Sequence, residues 1–158
     1  MTLKNYTSTI SVSRSISYIE EQLAKHGARQ ILKLYDEAGK VSGICFIMLL
    51  GEREVPYKLP ARLAECEKIL RANLSKRARP ETVKKLAEQA ERTAWKIISD
   101  WIEAQMALIE LSQVEMMKVF LPYLYDHQKQ QTYFEAIKAR GFKGLLPAAA
   151  EKGKNEEL

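Results

Sequence analysis

The sequence predicts an α+β fold: a small N-terminal β-α-β-β-β sheet packed on a long C-terminal helical half. Three observations carry this. Short apolar or alternating runs broken by turn residues fill the first sixty positions. From Pro60 onward the apolar spacing changes to threes and fours, the period of a helix. The hydrophobic share of 46% and charged share of 28% are those of a folded globular chain.

Tyr6 to Val12 alternate, with Tyr6, Ser8, Ile10 and Val12 on one side, which predicts an edge strand. A helix follows over roughly 15–26. Ser17 and Glu20 have capping-box spacing, Ser13 and Ser15 compete as the cap, and Gly27 suits the position just past the helix end. Arg29 to Tyr35 reads as a strand and Asp36 to Gly39 as a turn. Val41 to Leu50 is apolar at nearly every position, so it is predicted to be the central strand. Gly51-Glu52 forms a hairpin turn into a third strand, Arg53 to Leu59. Pro56, which has no N–H to give, puts that strand at an edge or bulge.

Beyond Pro60, a helix is predicted from Ala61 to about Ala78, then a basic bend, Lys76-Arg77-Ala78-Arg79. Pro80 fits the first turn of the next helix. Its stripe of Val83, Leu86, Ala90, Ala94, Ile98, Trp101 and Ile102 continues to about Leu111. Ser112 and Glu115 resemble a capping box that restarts the helix, which Pro122 ends. A last short helix is expected over 132–140, stopped by Gly141. The length of 158 residues suits one domain, taken as 1–146, with the small, polar residues 147–158 as a disordered tail.

Several classes are disfavoured. No apolar run approaches the ~20 residues of a membrane span, and the N-terminus lacks the apolar core of a secretory signal. Cys45 and Cys66 have neither disulfide-framework nor zinc spacing, so both are read as reduced and the chain as cytoplasmic. There is no G-x-x-x-x-G-K or G-x-G-x-x-G, and no cofactor is expected. Gly141-Phe-Lys-Gly144 matches a G-x-x-G but leaves too little chain after it for an RNA-reading module. His26 and His127 have no partner that would make them catalytic or metal-binding. Asp100 and Glu103 lie on neighbouring positions of one helix, as a metal or hydrolase site would want. They lack further ligands and are read as a solvated face, or as a buried carboxylate paired with an Arg or Lys from the sheet.

The charge is informative through its distribution. The net charge is +5, and residues 53–96 hold 12 Lys/Arg against 6 Asp/Glu. The candidate nucleic-acid contacts are therefore Lys58, Arg62, Lys76, Arg77, Arg79, Lys84 and Lys85 on phosphates. Tyr35 and Tyr57 would stack on bases if they lie on an open sheet face. The competing reading is a solvated surface in which Glu65, Glu67, Glu81 and Glu88 pair with these cations at helical spacing. Met106, Met116 and Met117, with Leu108, Ile109 and Phe120, supply either core or a homo-oligomer surface along the long helix.

The segments Tyr6-Thr-Ser-Thr-Ile10, His26-Gly-Ala-Arg29, Tyr35-Asp36 through Gly39, Gly43-Ile-Cys-Phe46, Lys58-Leu-Pro-Ala-Arg62 and Trp101 to Ile109 resemble a family of small, uncharacterised phage and prophage proteins. The resemblance spans most of residues 4–125. It implies a phage-encoded protein of the host cytoplasm and carries over no catalytic residue. The order of hairpin, then long helix, is also similar at the level of fold to single-strand annealing proteins, and fold does not fix function.

The expectation is a non-enzymatic, phage-type nucleic-acid-binding protein, accessory to DNA replication, recombination or annealing. The alternative is an oligomeric inhibitor of host defence that binds a host protein or a nucleotide ligand. A metal-dependent enzyme using Asp100 and Glu103 is the least favoured.

Overall fold

In the computed structural model, which describes residues 2–145, the Ser11 hydroxyl accepts a hydrogen bond from the Arg14 N–H and starts helix α1, Val12–Lys25. Ser11 therefore takes the cap in place of Ser17, and the helix begins three residues before the predicted start. Gly27, at φ +101°, turns the chain into β1, Ala28–Tyr35. The Asp36 carboxylate accepts from the Ala38 and Lys40 N–H groups and closes the turn into β2, Val41–Leu50. Gly51 (φ +63°) leads into β3, Arg53–Pro60. The three strands form an antiparallel sheet in the order β1-β2-β3, with β2 central as its apolar sequence predicts.

The predicted N-terminal strand over 6–12 is not formed. The Tyr6 and Ser8 N–H groups bond locally, to Leu3 O and Asn5 O, and side chains of a helix reach two carbonyls of the stretch. Gln89 Nε2 donates to the Ser8 carbonyl, and Thr93 Oγ1 to the Asn5 carbonyl. The segment therefore lies along that helix, and the sheet half reads α-β-β-β rather than β-α-β-β-β. Val12 begins α1 and Tyr6 is exposed, so the alternation of Tyr6 to Val12 did not mark a buried strand face.

After Ala61, whose N–H extends the sheet by bonding to Ser42 O, α2 spans Leu63–Ala72. It stops six residues short of the predicted end. The chain then bends, and α3 runs over Pro80–Glu110, 31 residues or about 46 Å. Arg79 precedes it in extended conformation and Pro80 occupies its first turn. The Ser112–Glu115 capping box does not form. Ser112 sits at φ +57° and gives its N–H to Ile109 O, so it closes α3 rather than opening a new helix. Helix α4, Met116–Phe120, follows with no side-chain cap. After a 3-10 turn over Leu121–Tyr123 comes a hairpin absent from the sequence reading, β4 (Tyr125–Asp126) with β5 (Gln131–Thr132). Thr132 then caps α5, Tyr133–Ala139, in a full capping box with Glu135. The expected tail, 147–158, lies outside the described residues.

One face of the sheet carries Ile31, Ile44, Phe46, Met48, Val55, Tyr57 and Leu59, which the strand register places side by side. Against it pack Ile16, Ile19 and Leu23 of α1, Trp95, Ile102 and Met106 of α3, and Phe120 of α4. Phe46 stacks on Tyr57 at 5.2 Å and meets Phe120 edge-on at 5.3 Å, contacts worth ~0.5–1.5 kcal/mol each beyond their burial. Trp95 Nε1 donates to Val41 O and pins the sheet to α3. A second, smaller cluster of Cys66, Leu70, Ala90 and Ala94 joins α2 to the first half of α3. Both cysteines are buried free thiols.

Candidate nucleic-acid interface

The structure divides the nine residues proposed from sequence. Lys76, Arg77 and Arg79 lie in the bend between α2 and α3, and Lys84 and Lys85 follow on the first two turns of α3. All five are exposed, at the tip of a helical hairpin. None of them has a carboxylate within ion-pair distance among the described residues. The paired cations among those residues are Lys4, Lys33, Lys40, Arg62, Arg71 and Lys96. One of the anticipated helical pairs forms, Arg62 with Glu65 at 3.1 Å, while Glu67 pairs with Arg71, a cation outside the predicted set, at 2.6 Å. Glu81 and Glu88 make none among the described residues. The only acidic residue between positions 73 and 85 is Glu81, against five cations.

The other four residues lie elsewhere. Arg62 stands at the opposite end of α2, about 15 Å from the tip by the rise of that helix. Lys58 points to the outer sheet face, with its ammonium 5.0 Å from the centre of the Tyr125 ring. Tyr57 is fully buried on the inner face, where burial raises its phenol above the ordinary value and its hydroxyl donates to Met117 Sδ at 3.7 Å. It cannot stack on a base, and the sequence reading is corrected there. Strand position alone did not say which face Tyr57 would take. Tyr35 is exposed at 62%, but it ends β1 opposite Val41, beside the Trp95 region of α3. That is ~15 Å along the helix from Lys85. The tip therefore offers charge without an aromatic platform.

The Asp100 and Glu103 pair does not converge on a metal site. Asp100 accepts from Lys4 Nζ at 2.6 Å, Asn5 Nδ2 at 2.9 Å and Lys96 Nζ at 2.6 Å. Burial alone would raise its pKa, but these three donors outweigh burial and hold the carboxyl well below the usual range. Among the described residues no group of three or more His, Cys, Asp or Glu side chains could hold a metal ion. His26 bonds Gln22 O and Glu110, tying the end of α1 to the end of α3, and His127 packs edge-on against Tyr125. Met106 of α3 and Phe120 of α4 are core, with Ile109 and Met116 partly buried against them.

The sequence reading missed a polar cavity between α1 and α3, because its residues are about eighty positions apart and individually unremarkable. Among the described residues no helix is long and apolar enough to cross a membrane. No protein-family model matches the chain, and no curated protein or solved structure matches it either.

Proposed function

We propose that the protein binds nucleic acid through the tip of the α2–α3 hairpin, with Lys76, Arg77, Arg79, Lys84 and Lys85 on the phosphate backbone. The observation that carries this is the absence of carboxylate partners for all five exposed cations among the described residues, whereas Arg71 of α2 and Lys96 of α3, outside the tip, are paired. Lysine and arginine crowded without counter-charge repel one another, and a polyanion relieves that repulsion while releasing its own counterions.

With Tyr57 buried and Tyr35 distant, the contact is to phosphates rather than bases. Binding is then indifferent to sequence and similar for single and double strands. A role as an accessory in replication, recombination or annealing, of the kind phage-encoded proteins have, is compatible with such a surface.

The test is fluorescence anisotropy with labelled single- and double-stranded DNA. Five phosphate contacts predict a loss of affinity on the order of 10²–10³-fold between 50 and 200 mM salt. The triple variant K76A/R77A/R79A is expected to lose most binding and to flatten the logarithmic salt slope by about three. Absence of binding at low salt refutes the proposal. So does a triple variant that binds like wild type.

A further inference from the structure

β1 is an edge strand, with β2 on one side of it. Two hydrogen bonds show how its backbone is turned. The Asp36 N–H donates to Lys40 O, and Leu34 O accepts from Ser42 Oγ, so the even-numbered residues of β1 face β2. The N–H and C=O groups of Ile31 and Lys33 therefore point away from the sheet, and among the described residues no hydrogen bond reaches them. Such an edge is a template for pairing with another chain, which proteins commonly blunt with proline, lysine or a bulge. β1 has no proline. Its lysine, Lys33, is drawn to Glu20 of α1 at 3.1 Å, on the inner face. Register shifts fall at the two ends, beside Arg29 and between Leu34 and Tyr35, so residues 30–34 are regular.

The side chains of this stretch match a second copy of themselves. Leu32, at its middle, lies on the outer face and is 60% exposed, the most exposed aliphatic residue of the sheet. Two identical strands paired antiparallel are related by a two-fold axis. With the axis at Leu32, the two leucines stand directly opposite in the close, non-hydrogen-bonded position, ~4.5 Å between Cα atoms. Ile31 and Lys33 exchange hydrogen bonds with the partner's Lys33 and the partner's Ile31, which satisfies every idle backbone group of the regular stretch. Tyr35 comes opposite the partner's Arg29, a ring beside a cation. Moving the axis one residue either way spoils the match. At Ile31 it sets Arg29 against the partner's Lys33, and at Lys33 it sets two lysines together, and like charges directly opposite are destabilising. Beside the edge, helical spacing puts Ser13, Ser17 and Ala24 of α1 on the side of Glu20. All three are exposed and small, so two copies of α1 can approach over the joined sheet. A strand of any other protein could use the same backbone groups; the match of side chains about Leu32 singles out a second copy.

We infer that the protein forms a two-fold dimer through the free edge of β1, with Leu32 on the axis and the two sheets joined into one. The interface is small, so the dimer forms at micromolar rather than nanomolar concentration. It uses no residue of the hairpin tip and does not depend on nucleic-acid binding.

Sedimentation velocity of the full chain from ~1 to ~300 μM tests this. The sedimentation coefficient is expected to rise from that of a monomer to that of a dimer across the range. L32K, at an exposed position, should keep the wild-type thermal midpoint and weaken dimerisation at least ~10-fold, because it sets two ammonium groups against each other. L32C reads the register. Under mild oxidation it should give a disulfide-linked dimer, since directly opposite Cβ atoms come within disulfide reach, whereas Q30C, two residues from the axis, should not. K76A/R77A/R79A should dimerise like wild type, whatever it does to DNA. A monomer at every concentration overturns the inference and leaves the edge to a strand of another protein. A dimer untouched by L32K, or cross-linked as readily through Q30C as through L32C, overturns the assignment of the interface to β1.

Discussion

Asp100 receives three donors, two of them cations, and one of those comes from the far end of the chain. Its role is to hold the N-terminal segment on α3. Because its folded pKa lies below the unfolded value, the stability it contributes is fully present above the ordinary carboxylate pKa of about 4 and is lost as pH falls toward the lower folded value. Asp100→Asn is therefore expected to cost about 1–3 kcal/mol at neutral pH, from hydrogen bonds to a charged group. The difference in thermal midpoint from wild type should shrink as the pH is lowered below 4. A gap that stays constant down to pH 2 would show that the charge is not what matters. The sequence placed Asp100 and Glu103 on neighbouring helical positions, and the structure gives them different neighbours. Spacing tells which residues share a helix face, but two partners of Asp100, Lys4 and Asn5, lie about 95 positions away, where no spacing rule reaches. Tyr57 is the same lesson in reverse. Its place on β3 was legible, and the face it points to was not.

At the scale of elements, legibility followed the strength of the turn signals. β1, β2 and β3 and the long helix α3 appear within a residue or two of their expected bounds, because Gly27, Gly39, Gly51, Pro60 and Pro80 punctuate long apolar patterns. Weakly punctuated elements fared worse. The Tyr6–Val12 strand proved to be a clasp on α3, and the serine at 112 a helix end. The two-residue strands β4 and β5 are too short to show any period. Gly43 gives this scale its prediction. A Cβ there would stand 3.0 Å from Leu59 O and 3.5 Å from Pro60 Cα, backbone atoms that cannot step aside cheaply. Gly43→Ala should destabilise the β2–β3 pairing by ~1–3 kcal/mol, as overpacking does, and a denaturant midpoint measures it. A midpoint at or above the wild-type value would mean the strands can separate at no cost.

For the whole molecule, the basic residues of the central third were readable as a charge bias, and their gathering at one hairpin tip was not. Lys58 and Arg62 belong to the same stretch of sequence yet stand a helix length away, beside Glu135. The Thr132 backbone N–H holds that carboxyl low, with Lys58 and Arg62 adding to it against burial. Linear charge density sees only the order of residues, whereas a phosphate backbone meets a surface.

The two apolar clusters differ greatly in size. The larger joins the sheet to α1, α4 and the second half of α3, whereas the smaller has four fully buried residues beneath α2 and the first half of α3. The hairpin tip is thus moored to the rest by little buried surface, and its amides should open to solvent sub-globally at a lower free energy than those of β2. Hydrogen–deuterium exchange is expected to label residues 64–88 well before the central strand. If the tip binds DNA as proposed, exchange should slow there when DNA is added. Uniform exchange across both regions would mean that the molecule opens only as a single unit.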